Sequence, residues 1–210
     1  MKKRIAFVTP SLLPMPPVQG GAMETLVDHL LCCNEKAGDF DITVFCTGGE
    51  AAKKAAAGYR LTRFIYLNGK PLWPMLYDLV VRGCRKVFKI ELSPERAYSK
   101  RVARALSQRQ FDAVIMENQL DFLPLVRRAA FNAPIWLHLH NHPSNFGKKA
   151  LSRIAGCDGV LAVSDFVRRE VLQMTPLDPE QVVVLSNCVD VRRFDGARYQ
   201  KERTEIRSRF

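Results

Sequence analysis

Three of the four histidines in this 210-residue sequence stand at alternate positions, His138, His140 and His142, within the run IWLHLHNHPSN. Imidazoles so spaced can share a metal, exchange protons with a substrate, or sit as polar groups on one face of a strand. Strand geometry argues against an ion shared by all three. Residues i and i+2 lie about 6.6 Å apart and i and i+4 about 13 Å, whereas zinc needs each ligand nitrogen at about 2.0–2.1 Å. An H-x-H pair can ligate with a third group, but no other His, Cys or carboxylate stands at a recognisable spacing. No metal and no other cofactor are expected.

Position separates the three. His138 falls mid-strand and reads as a packed imidazole bonded to neighbouring backbone. His140 stands at the carboxyl end, where ligands gather in open α/β sheets. A neutral imidazole there can donate to one hydroxyl and accept from another. Asn141 and His142, just beyond, are second candidates. Glu117 and Asn118 close the strand FDAVIMEN at the same rim, where they either hold substrate hydroxyls or cap the following helix. Ser164 and Asp165, after LAV, read as a helix cap.

The loop TPSLLPMPPVQGGAMETL offers a different chemistry. It carries neither G-x-G-x-x-G nor G-K-[ST], so it is no dinucleotide fingerprint and no Walker A loop. Gly20 and Gly21 enter a helix side by side. They either close a tight turn or let backbone N–H groups approach an anion. A third feature is PLWPMLYDLVVRGCRKVFKIE, where Trp73 and other apolar residues alternate with Arg82, Arg85, Lys86 and Lys89. That pattern suits a helix lying on anionic lipid, or an ordinary surface helix whose basic stems snorkel.

The elements that must position these residues alternate along the chain. Strands are expected over 4–10, 41–47, 60–67, 111–118, 133–141, 159–164 and 182–187. Helices are expected near 22–35, 120–130, 147–155 and 165–174, with two more across 74–109 broken at Ser93-Pro94. Such alternation predicts an α/β fold, a doubly wound, mostly parallel, Rossmann-like sheet over residues 1–190. From Val191 the hydrophobicity collapses into a charged exit.

Composition is ordinary for a globular chain, 47% hydrophobic and 25% charged. No apolar run is long enough for a membrane span. The start MKKRIAFVTP lacks the apolar length and cleavage site of a signal peptide, so it reads as a first strand of a cytoplasmic protein. The six cysteines show no C-x-x-C and are expected as buried free thiols. The net charge of +11 concentrates between Arg60 and Arg104, where eleven Lys/Arg face three acids. Nucleic acid is not the expected partner, because no nucleic-acid module motif is present.

Three segments in order resemble glycosyltransferase family 4, of the GT-B fold. The first is the Pro-rich loop ending in Gly20-Gly21 with Glu24 shortly after. The second is GCDGVLAVSDFVRREVL, and the third is VVVLSNCVDVRRF, with Cys188 where the family usually has glycine. The resemblance implies the N-terminal, acceptor-side half of a GT-B enzyme. It also implies that 191–210 is a basic linker towards a C-terminal donor-binding domain, of which no motif is visible. The function implied is sugar transfer, with retention, from a nucleotide-sugar to a glycan or lipid-linked acceptor in cell-surface polysaccharide or lipopolysaccharide synthesis. The location implied is cytoplasmic, peripheral on the inner face of the membrane. His140 would be the catalytic contact, with Gly20, Gly21, Glu24, Glu117, Asn118, Asn141 and His142 binding substrate. Trp73 and the four nearby cations would form the membrane or acceptor surface. The alternative is a non-catalytic Rossmann-like module docking on a membrane or protein partner.

Overall fold

The computed structural model describes residues 1–68, 94–189, 191, 196 and 199–209. Seven strands form one sheet: β1 (Lys3–Val8), β2 (Phe40–Cys46), β3 (Thr62–Tyr66), β4 (Ala113–Glu117), β5 (Ile135–Leu139), β6 (Gly159–Ala162) and β7 (Val182–Val184). Their order is β3-β2-β1-β4-β5-β6-β7, and every neighbouring pair is parallel. The chain winds outwards from β1 in one direction through β3, then returns to build β4 to β7 on the other side. The switch point therefore lies between β1 and β4, the place where open α/β sheets hold ligands.

Period-two alternation builds the two cores. Ala6 and Val8 of β1, Val114 and Met116 of β4, and Ile135, Leu137 and Leu139 of β5 share one cluster. Helix α3 (Pro94–Leu106) adds Tyr98, Val102 and Leu106 to it, and α4 (Leu123–Ala129) adds Val126. Phe7, Val44 and Cys46 point the other way, onto Val27 and Leu31 of α1 (Ala22–Ala37). Glu117 and His138 lie out of phase with the large cluster on their strands. They therefore share the face that α1 covers.

Helix α1 ends at Gly38, left-handed at φ 74, whose N–H returns to the Asn34 carbonyl. Asn34 then imitates a strand partner for β2, donating from Nδ2 to the Phe40 carbonyl and accepting the Phe40 N–H, both at 3.0 Å. Asn34→Ala strands two backbone groups at once and is expected to destabilise by about 1–3 kcal/mol. The urea midpoint should fall with an unchanged m-value.

Among the described residues the remaining α-helices are α2 (Glu50–Ala56), α5 (Lys148–Leu151), α6 (Asp165–Met174) and α7 (Gln200–Arg207). The helix expected over 147–155 is instead α5 followed by a separate 3-10 turn at Ile154–Gly156. The exit after Val191, expected as a linker, contains the helix α7. Ser164 does cap α6, accepting the Val167 N–H at 3.2 Å. The described cysteines are free as expected, but not all are buried, and Cys84 lies outside the described residues. Cys46 and Cys157 are buried, with burial holding both thiols well above the usual range, but Cys32 is half-buried and Cys33 and Cys188 are exposed. No helix among the described residues is long and apolar enough to cross a membrane.

Candidate functional site

Because β1, β4 and β5 are neighbours, their carboxyl ends lie side by side within about 10 Å, two interstrand spacings. Glu117, the last residue of β4, is in register with His138. It is fully buried, with Nδ1 of His138 3.0 Å from Oε2 and Nε2 of His140 2.7 Å from the same oxygen. The two imidazole centres are 4.1 Å apart. Burial by itself would raise the Glu117 pKa. Hydrogen bonds from His138 and then His140 outweigh it and hold the carboxyl below the ordinary glutamate range.

Glu117 does not cap the turn after it; its carboxylate faces both neighbouring imidazoles. His138 is not simply a backbone-bonded packing residue, since its Nδ1 meets a charge in the interior. Asn118 adopts a left-handed backbone at φ 56, which asparagine tolerates. Its Oδ1 accepts the His140 backbone N–H at 3.2 Å, and its own N–H reaches the His138 carbonyl at 3.0 Å. The turn after β4 is thus stitched to the end of β5.

Glu117, His138 and His140 form the described group whose ligand atoms come close enough for an ion, all within 4.8 Å of one another. The third ligand that spacing did not reveal is this carboxylate from the adjacent strand. The separations of 2.7 and 3.0 Å are nevertheless those of charge-assisted N–H···O bonds. The remote nitrogens, Nε2 of His138 and Nδ1 of His140, are buried with no partner among the described residues. The same three groups can share protons or hold an ion.

Asn141 is exposed beside the site. His142 turns away from it: Nδ1 accepts the Ser144 N–H at 3.1 Å and Nε2 meets Glu170 of α6 at 3.1 Å. Both of its nitrogens are engaged in local structure, and its ring lies 5.6 Å from the half-exposed Phe166.

The glycine loop enters the same edge from β1. Gly20 and Gly21 have φ of 78 and 101, a backbone that side chains rarely adopt. No side chain caps α1. Glu24 instead folds back over Gly21 and is 4% exposed. Any Cβ on Gly21 would collide with Glu24 Oε2 and approach Leu13 Cδ1 to 2.6 Å. Gly21→Ala is therefore expected to cost about 1–3 kcal/mol in backbone strain alone, and thermal melting should show the loss. Gly20→Ala meets no atom within 4 Å, so its strain is purely conformational and the collision is absent.

An open cleft of about 540 Å³ runs along this edge, lined by Ser11, Leu12, Gln19, Gly49, Glu50 and Arg101 among others. A larger one of about 660 Å³, with Lys2, Lys3, Arg4 and Arg60, lies at the amino edge of the sheet, away from the imidazoles. The carboxyl-edge cleft is the one that the topology favours. Trp73, Arg82, Arg85, Lys86 and Lys89 lie outside the described residues. At Cys188 no left-handed backbone is required: the non-glycine residues of positive φ among those described are Asn118 and Phe131. Its carbonyl meets Nδ1 of His29 on α1 at 3.2 Å.

A family model described as Glycosyltransferase Family 4 matches residues 20–193. No curated protein sequence matches the chain. Among solved structures, a glycosyltransferase from Rickettsia africae superposes with a TM-score of 0.58 at 21% identity, over 98% of this chain and 48% of that one. TarM gives 0.59 at 12% identity, over 91% and 62%. The N-terminal domain of Candida albicans trehalose-6-phosphate phosphatase gives 0.51 at 15% identity, over 94% and 52%. At such identities the likeness is one of fold, and the chain spans about half to three-fifths of these proteins' lengths.

Proposed function

The chain belongs to glycosyltransferase family 4, and we propose that it forms the acceptor side of an enzyme that moves a sugar from a nucleotide-sugar to a glycan or lipid-linked acceptor. The observation that carries this reading is His140, pinned by Glu117 and Asn118 at the carboxyl end of β5 beside the switch point. Residues 1–190 make up this N-terminal unit, and 191–210 lead towards a second α/β domain that holds the donor. Transfer proceeds with retention and serves cell-surface polysaccharide or lipopolysaccharide synthesis.

Catalysis in this reading is positioning and electrostatic stabilisation of the departing diphosphate, with no metal or organic cofactor. Glu24 supports the assignment of this half to the acceptor. A carboxylate already occupies the N-terminus of α1, so a phosphate there would meet like charge. A neutral ligand can instead donate a hydroxyl to Glu24. The basic, aromatic stretch over 71–91 would rest on the anionic inner face of the membrane, close to a lipid-linked acceptor.

The test is to assay the full-length protein against a panel of nucleotide-sugars with lipid-linked and free glycan acceptors. Transfer is expected from one of them. The 210 residues alone should bind acceptor without turnover. Turnover by this chain alone at about 1 s⁻¹ or faster, the ordinary range for enzymes, would refute the division of labour.

A further inference from the structure

We propose that Glu117 is a positioning residue for His140, setting which ring nitrogen carries the proton, and that His138 in turn anchors Glu117. The consequence for catalysis rests on the transferase reading; the clamp itself does not. An ionised carboxylate only accepts hydrogen bonds. Both nitrogens that face Glu117 therefore present N–H groups, Nδ1 of His138 and Nε2 of His140. Held from two sides and fully buried, the carboxylate cannot swing to another partner. Asn118 fixes the same strand end through the His140 backbone.

With its Nε2 proton committed to Glu117, a neutral His140 carries its lone pair on Nδ1. That nitrogen is buried and has no partner among the described residues, although buried polar atoms are nearly always paired. It is an unmet acceptor, itself buried, on a side chain that is 8% exposed. Glu117 thus fixes His140 as a ring whose free lone pair is on Nδ1 and whose proton is on Nε2.

Imidazole nitrogen NMR on the 210-residue chain tests the clamp directly. His140 is expected as the Nε2–H tautomer, with that proton protected from exchange. Glu117→Gln keeps the shape but replaces the anion with one neutral amide oxygen, which can still accept from both rings but more weakly, so the Nε2–H preference of His140 is expected to weaken. Glu117→Met removes the acceptor from both, and His140 should become a mixture; if that variant fails to fold, the wild type and the glutamine variant still decide. A wild-type His140 that is already a mixture, or an Nε2–H preference undiminished in Glu117→Gln, would overturn the proposal.

In the full-length enzyme, Glu117→Gln is expected to lower kcat about 100-fold, the scale of a misaimed catalytic group, with KM changed far less. A merely structural Glu117 would lower the melting temperature and leave kcat of the folded fraction intact, which also overturns it. Expected tautomers in a full-length protein that transfers no sugar would refute the transferase reading and leave the clamp standing.

Discussion

Replacing His140 with alanine in the full-length enzyme is expected to lower kcat by about 10²–10⁴-fold, the range that a positioned imidazole contributes. The acceptor KM should move much less, because the carboxyl-edge cleft is lined by the loops after β1, β2 and β3 and by α2 and α3. Removing the ring also takes one of the two N–H donors from Glu117. A modest fall in melting temperature is therefore expected beside the loss of rate. His140→Gln separates the two effects. Its side-chain amide can still donate to Glu117, so stability should recover while kcat stays low. His142→Ala is the control on the same loop: both of its nitrogens serve Ser144 and Glu170, and kcat should fall less than tenfold. Transfer left intact by His140→Ala would sink the assignment.

The fold was legible because alternation of strand-length and helix-length apolar runs needs no knowledge of partners. The site was legible only in part. His140 could be singled out by its place at the end of an apolar run, and it does sit at the carboxyl edge. Its partner could not. Glu117 and His138 are 21 residues apart, and only the parallel register of β4 on β5 brings them opposite each other. That register depends on how the intervening chain, including α4, packs beneath the sheet, which no local spacing encodes. One signal was available: FDAVIMEN and APIWLHLHN each end in polar residues after an apolar run. Aligning those ends as neighbouring strands puts Glu117 beside the first histidines. Glu24 was named by the resemblance, but its return over Gly21 was not foreseen, since it follows from a positive φ that a sequence does not state.

Glu117→Ala should have the largest effect on stability. It leaves two buried N–H donors facing a cavity, and Nε2 of His138 has no partner to begin with. Breaking a buried charged cluster by removing one member typically costs about 3–5 kcal/mol. For a chain of this size that corresponds to a fall in melting temperature of roughly 6–20 °C. The pH dependence carries a definite sign. The two imidazoles hold the Glu117 carboxyl below the ordinary glutamate value of 4.5 in the folded chain, so the unfolded chain takes up that proton first as the pH falls. The stabilisation is thus complete well above 4.5 and is lost as the pH drops below it, through the lowered folded value. The wild type should lose melting temperature more steeply than Glu117→Ala in that window. The variant's acid limb will flatten without vanishing, because Glu35, Asp112 and Asp158 are lowered as well and remain in place. Parallel acid limbs for the two proteins would mean that Glu117 is not held as a carboxylate, and the imidazole clamp would fall with it.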